Sequence, residues 1–383
     1  MRICLLTYST RPRGGVVHTL ALAEALARLP GTDVTVVSLA RGGDAGFFRA
    51  VDPAVTLDLV PFPDRDGEAV GPRILRSIEV LREHLDTTAD GYDVIHAQDC
   101  ITANAAGSCI RTVHHLDTFS TPELAACHER AIVTPHTHIC VSASVATELR
   151  DGWGLTAAVI PNGVETGRFA AAAADTPAAN RARTAWRRQI GNPFVLAVGG
   201  IEPRKGTLDL VRAFARVRAS RPQLELVVAG GETLFDYRDY RAEVDAVAAE
   251  LGVRPMVLGP VDHEALPALV AAADVFAFPS TKEGFGLAAM EALAAGVPLV
   301  CRDLPVLREV FDGAAGFGRD VAGLASALLT GITEPDPERI EAGRRLAADH
   351  TWEAAATAHL ALYQRVTSGA VERDLQGQGR SAS

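Results

Sequence analysis

Two glutamates, Glu283 and Glu291, lie eight residues apart in the stretch Pro279-Ser-Thr-Lys-Glu-Gly-Phe-Gly-Leu-Ala-Ala-Met-Glu-Ala-Leu-Ala-Ala-Gly-Val-Pro298. A carboxylate accepts hydrogen bonds from vicinal hydroxyls such as those of a sugar or a ribose. Burying one without such donors is costly. Gly284 and Gly286 permit a tight turn, and Leu287–Ala295 has strong helix propensity. Gly296 and Pro298 stop that helix. The amides of Phe285, Gly286 and Leu287 then face outward at a helix amino terminus, where a phosphate is readily held. A lone pair of glutamates at this spacing is more often an ordinary strand–turn–helix with exposed acids. The Pro-Ser, Glu-Gly-Phe-Gly and Ala-Ala-Gly-Val-Pro around it tip the reading to a site.

A second element, Val198-Gly-Gly-Ile-Glu-Pro-Arg-Lys-Gly-Thr207, joins a predicted strand to a predicted helix. Arg204 and Lys205 there suit a diphosphate whose negative charge grows as the bond to it breaks. Taken alone, they are as well read as two solvated basic residues. A third element, Tyr8-Ser-Thr-Arg-Pro-Arg-Gly-Gly-Val-Val-His18, follows the first strand. Gly14 and Gly15 let backbone approach a ligand closely as a helix begins. No G-x-G-x-x-G dinucleotide fingerprint is present there. His96 and the pair His114-His115 end two predicted strands, with Asp117 just beyond. An imidazole at a strand end can hydrogen-bond a hydroxyl or tune local charge, although such a histidine is more often structural.

The Glu283–Glu291 block resembles the donor-site signature of glycosyltransferase family 4, retaining enzymes of the GT-B type also grouped as glycosyl transferases group 1. The resemblance runs from Arg2 to about Val366. It implies that Glu283 contacts hydroxyls of the transferred sugar and that Glu291 holds the nucleotide ribose. It also implies that the amides of Phe285, Gly286 and Leu287 bind diphosphate and sugar. The family often carries an arginine directly after the first glycine of the second element. Gly200 stands at that place, so the cationic role falls to Arg204 and Lys205. Gly14 and Gly15 match the family's glycine pair, and Thr112-Val-His-His115 resembles its Thr-Val-His segment, which places His114 near the reacting sugar. His115, Asp117 and His18 become candidates on the acceptor side; a helix-start packing role suits His18 equally well. Pro161-Asn-Gly-Val-Glu165 fits the family's domain-end segment and reads as structural.

The elements that must position these residues alternate short apolar runs with helical patterns, the mark of parallel sheets covered by helices. Expected strands are Ile3–Thr7, Val34–Leu39, Thr56–Val60, Val94–Ala97, Arg111–Val113, Ile139–Val141 and Ala158–Ile160, then Phe194–Val198, Leu224–Ala229, Met256–Leu258, Val275–Phe278 and Leu299–Cys301. The expected fold class is α/β: GT-B, two Rossmann-like doubly wound parallel-sheet domains facing a central cleft. Residues 1–170 would form the acceptor-side domain, 171–188 a linker and 189–351 the donor-binding domain. A last helix, about 352–368, would cross back to the first domain, and 371–383 would be a disordered tail.

Composition agrees with a two-domain globular chain of 383 residues, 48% hydrophobic and 22% charged. A net charge of −10 argues against nucleic acid and anionic membrane as partners overall. Arg73, Arg76 and Arg82 form a stripe that could touch anionic lipid, but Glu79, Glu83 and Asp86 beside them favour a solvated helix face. The six cysteines show no CxxC and read as reduced, mostly buried thiols. His136, His138 and Cys140 lack a carboxylate partner at supporting spacing, so no metal is expected. No apolar run of ~18 residues is present to span a bilayer, and a cytoplasmic location is expected.

The reading reached from sequence is a metal-independent retaining transferase without a cofactor. It would move a hexose-type sugar from a nucleotide diphosphate sugar to a small-molecule, glycan or lipid acceptor. The rivals are a GT-B sugar-nucleotide epimerase and a non-catalytic nucleotide-sugar-binding protein. The loops 41–49 and 61–72, which would build the acceptor pocket, carry no readable code, and no oligomeric state follows.

Overall fold

A computed structural model describes residues 1–117, 121–191, 193–230 and 237–369. The chain divides into two units, one of Met1–Gly163 with the chain from Trp352 onward, the other Val164–Thr351. The expected tail 371–383 and residues 231–236 lie outside the described residues.

The first unit is built on seven parallel strands: β1 (Arg2–Thr7), β2 (Asp33–Arg41), β3 (Val55–Phe62), β4 (Val94–Ala97), β5 (Ile110–Val113), β6 (Thr137–Cys140) and β7 (Ala158–Val159). Their order is β3-β2-β1-β4-β5-β6-β7. β1 is central and buried from Ile3 to Thr7, which is why it reads as an unbroken apolar run rather than an alternating one. The helices beside it have local causes. Asp99 and Thr102 make a reciprocal capping box ahead of Cys100–Ala106. Ser142 caps Ala143–Trp153, which Gly154 ends in the left-handed conformation. The carboxy-terminal helix Trp352–Thr367 packs on Gly14–Ala27 in this unit.

The second unit carries β8 (Phe194–Val198), β9 (Glu225–Ala229), β10 (Met256–Gly259), β11 (Val275–Phe278), β12 (Leu299–Arg302) and β13 (Ala315–Gly318). The order β10-β9-β8-β11-β12-β13, all parallel, is the doubly wound arrangement in which strand order reverses beside β8. Ligands of such sheets bind at the carboxyl ends of the strands flanking that reversal. β13 was not among the expected strands: Ala-Gly-Phe-Gly has little β propensity, and pairing with β12 makes it a strand.

The expected linker is instead helical. Thr166–Ala173 and Pro177–Ile190 both belong to the second unit. Alanine is the best helix former, Thr176 caps the second helix and Pro177 opens it. The boundary falls earlier than residue 170 because Val164 N–H donates to His350 O at 2.9 Å and Thr166 Oγ1 to Ala347 O at 3.0 Å. None of the six cysteines forms a disulfide, and five are buried.

Candidate functional site

In the second unit, the carboxyl ends of β8 and β11 enclose a pocket lined by Gly199, Gly200, Lys205, Thr207, Phe278 and Ser280, among others. Glu283, whose side chain is 9% exposed, bonds two of these lining residues, Lys205 and Ser280. Glu283 Oε1 accepts from Lys205 Nζ at 2.6 Å, Arg204 Nη1 at 3.1 Å and Ser280 Oγ at 3.1 Å. Arg204 also donates to Glu202 at 2.9 Å. Residues 78 and 79 positions apart in the chain thus form one charge-assisted cluster. Lys205 Nζ stands 5.4 Å from the Phe278 ring centroid, and its stem packs against Gly199, whose φ of +144° few side chains adopt.

Gly286 precedes the helix Leu287–Ala294 with φ 104°. A Cβ there would come within 3.0 Å of Phe311 and 3.1 Å of Phe278, so both backbone conformation and packing demand glycine. Leu287 is the first helical residue, and the leading amides of a helix have no acceptor within it. The Phe285 side chain is buried beside the His350 ring, at 5.6 Å between centroids, which leaves its backbone as the part available to a ligand.

Glu291 lies on this helix, half-buried. Its side chain makes no hydrogen bond or ion pair within the described residues. Burial pushes its carboxyl up to about 8; the charge of Glu165 adds to this and Arg168 opposes it. Arg168 is itself held by Glu165 at 2.7 Å. Glu165, from the segment read from sequence as structural, thus adds to the effect of burial on Glu291.

Arg302, at the end of β12, carries a positioning role that sequence reading missed. Its Nε donates to Pro279 O at 2.9 Å and its Nη2 to Asp209 Oδ2 at 2.6 Å. It ties the loop after β11 to the first turn of Thr207–Ser220, next to Lys205. An arginine ending an apolar strand was the available signal.

In the first unit, Gly15 lies against His114: a Cβ there would be 4.0 Å from the imidazole. Gly14 opens onto free space. His114 Nε2 is buried without a partner among the described residues. Burial, then the charges of His115, Arg111 and His359, lower His114 to about 3, so the ring is neutral at physiological pH. His18 is 1% exposed, bonded through Nδ1 to Asn162 Oδ1 at 2.9 Å and packed on His114 at 4.7 Å and Trp352 at 5.2 Å. Its Nε2 is buried without a hydrogen-bond partner among the described residues. His115 Nε2 and Asp117 Oδ2 pair at 3.2 Å and are partly exposed.

Other sequence candidates find protein partners. His138 Nε2 bonds Ile132 O at 2.7 Å, and His136 Nδ1 is 3.0 Å from Thr137 Oγ1. Among the described residues, no three His, Cys, Asp or Glu side chains are arranged to hold a metal ion. Arg76 pairs with Glu68 at 2.6 Å over the Phe62 ring, and Arg82 donates to Asn104 O at 3.1 Å. No helix among the described residues is long and apolar enough to cross a membrane.

The two Rossmann-like parallel sheets define the GT-B class of architecture. Residues 12–168 match the family model for Glycosyltransferase Family 4, and residues 180–323 that for glycosyl transferases group 1. The chain belongs to glycosyltransferase family 4. It is 31% identical over 313 residues to phosphatidyl-myo-inositol mannosyltransferase of Propionibacterium freudenreichii, covering 75% of each chain. It is 35% identical over 241 residues to glycogen synthase of Mycobacterium tuberculosis, covering 60% of this chain and 54% of that one. The match thus spans about half the length of that relative. Among solved structures, Anabaena HepE in complex with UDP and glucose has a TM-score of 0.72 at 20% identity, covering 95% of this chain and 99% of that one.

Proposed function

We propose that this protein is a retaining glycosyltransferase that takes a hexose-type sugar from a nucleotide diphosphate donor and needs no metal ion. The observation that carries the reading is the cluster of Lys205, Arg204 and Ser280 on Glu283 in the same loop system as the Gly286 turn and the helix it opens. Breaking the bond between anomeric carbon and diphosphate leaves positive charge on the sugar and negative charge on the leaving group. Lys205, Arg204 and the leading amides of Leu287–Ala294 meet the negative charge. Glu283, once those cations turn to the diphosphate, offers its carboxylate to sugar hydroxyls. Glu291 takes the ribose diol. The neutral His114 imidazole hydrogen-bonds the sugar rather than supplying a cation. The acceptor hydroxyl attacks on the face the phosphate leaves, and that phosphate helps take its proton, which preserves anomeric configuration.

Likeness to a mannosyltransferase and a glycogen synthase supports the transfer reaction, and the UDP and glucose bound by HepE support the donor class. The test is a thermal-stability panel of UDP, GDP, ADP and TDP with and without chelator, followed by turnover with the matching sugar nucleotide. A ligand that binds only the folded state raises Tm by mass action. A rise with one nucleotide that chelator leaves unchanged, and a product of unaltered anomeric configuration, is the expected result. No rise with any nucleotide, or one abolished by chelator, overturns the donor site or its metal independence respectively.

A further inference from the structure

We infer that Tyr363, on the carboxy-terminal helix of the first unit, is a positioning residue that acts through His96 and Thr112 on His114; this rests on the transferase reading above, in which His114 meets the sugar. Trp352, His359 and Tyr363 share one buried face of the helix Trp352–Thr367. That face reaches His114 by two routes. The first is packing: Trp352 and His359 meet the His18 ring at 5.2 and 6.3 Å between centroids, and His18 meets His114 at 4.7 Å. The second is a chain of hydrogen bonds. Tyr363 Oη and His96 Nδ1 are 2.7 Å apart, and so are His96 Nε2 and Thr112 Oγ1. Thr112 lies in β5, two residues before His114.

Tyr363 and His96 are wholly buried, and Thr112 is nearly so. A neutral imidazole has one donor and one acceptor nitrogen. The chain therefore runs one way at a time. Either the phenol donates to Nδ1 while Nε2–H donates to Thr112, or the Thr112 hydroxyl donates to Nε2 while Nδ1–H donates to the phenol oxygen. Burial disfavours both an imidazolium at His96 and a phenolate at Tyr363, so the chain orients the ring without carrying charge. Gln98 Nε2 lies 3.4 Å from each His96 nitrogen, too long to replace either bond. A phenylalanine would fill the same space as Tyr363 but would leave one His96 nitrogen unpaired in a buried place. The ring then has cause to turn away from Thr112. His96 also stands 5.7 Å from His359, which touches His18, which touches His114. In a close-packed core, a turn of one ring is passed to the next.

The test uses the full chain with isotope-labelled histidine. The His114 ring resonances are read by NMR beside steady-state turnover and nucleoside diphosphate affinity. In Tyr363→Phe the His114 resonances should move, and kcat should fall about 10- to 100-fold, as a small misplacement of a reacting group does, with nucleoside diphosphate affinity unchanged. Thr112→Val, close in shape to threonine, should do the same and covers a failure of Tyr363→Phe to fold. Thr112→Ser keeps the hydroxyl and should recover the rate lost in Thr112→Val. Tyr363→Phe combined with Thr112→Val should lose no more than the worse single variant, because both break one chain. Unmoved His114 resonances in Tyr363→Phe and Thr112→Val overturn the inference, as does an unaltered kcat beside a lowered melting point, the mark of a role in stability alone. Losses that multiply in the double variant also overturn it. A wild type that transfers no sugar would strike the transferase reading instead, and the His114 resonances would still decide whether Tyr363 holds that ring.

Discussion

Lys205 Nζ donates to Glu283 Oε1 across 2.6 Å, joining two loops at the carboxyl edge of the second sheet. The lysine assigned to the leaving group and the carboxylate assigned to the sugar thus neutralise each other before any substrate arrives. A diphosphate must draw the cation away, and that exchange leaves the carboxylate open to hydroxyl donors. Lys205→Ala should lower kcat roughly 10²- to 10³-fold, the usual consequence of losing one donor to developing charge. Glu283→Gln should act mainly on donor-sugar recognition. The double variant should lose less than the sum, because each single change also disrupts the other's partner. Strictly additive losses in a steady-state double-mutant cycle would show that the pair does not work as a unit.

With Glu291 on the ribose as proposed, nucleotide affinity should depend on pH. The Glu291 carboxyl is pushed up to about 8 in the unliganded protein, and a ribose diol that donates to both carboxyl oxygens requires the ionised form. Affinity should therefore climb between about pH 6 and pH 8 and level off above. Nucleotide binding near neutral pH should release a proton, visible as a buffer-dependent binding enthalpy. Glu291→Gln should weaken binding and flatten the pH profile. The same shift has a stability consequence: the folded state holds a proton that the unfolded state has released, so stability falls as pH rises from the ordinary carboxyl range through about 8. Glu291→Gln should thus melt higher than wild type on the alkaline side. A pH-independent affinity in the wild type would remove Glu291 from the ribose.

Gly286→Ala should be among the most damaging small substitutions. It forces a side chain to adopt φ 104° and crowds Phe278 and Phe311. Backbone strain costs of order 1–3 kcal/mol, and overpacking a well-filled site adds about 1–3 kcal/mol. A lower urea midpoint with unchanged slope, together with weaker nucleoside diphosphate binding, is expected. Gly14→Ala, which points into open space, is the matched control and should leave the midpoint nearly unchanged.

The buried histidines of the first unit set its acid limit. His18 and His96 are held well below the ordinary histidine range, His114 at about 3 and His359 at about 4, each chiefly by burial. Below the unfolded histidine pKa of about 6.5, the unfolded chain binds protons that the native state refuses. Stability should therefore decline as pH falls from about 6.5 toward about 3. His359→Leu would remove one such group and should shift the acid-unfolding midpoint downward, and a midpoint unmoved or raised would show that the cluster does not govern it.

Much of this protein is legible in its local chemistry. The apolar run Ile3–Thr7 reads as a strand because both faces of β1 are covered, and Val275–Phe278 followed by Gly284, Gly286 and Gly296 reads as strand, turn, helix and stop because each residue's own backbone preference points that way. Ala315–Gly318 and the expected linker 171–188 depart from their sequence reading: pairing with β12 imposes the first, and alanine propensity with the Thr176 cap makes most of the second helical.

By its sequence alone, this chain determined its parallel α/β organisation, its family resemblance and the types of groups on its donor loops, since these rest on periodicity, glycine conformation and residues near one another in the chain. Only the tertiary structure decided which charges meet. Lys205 and Arg204 close on Glu283, Arg302 pins Pro279 to Asp209, burial and then Glu165 raise the carboxyl of Glu291, and His18, His96, His114 and His359 share one core. The partners come from segments widely separated in sequence, and Coulomb and desolvation effects depend on distance and burial. No local pattern encodes those until the sheets are assembled.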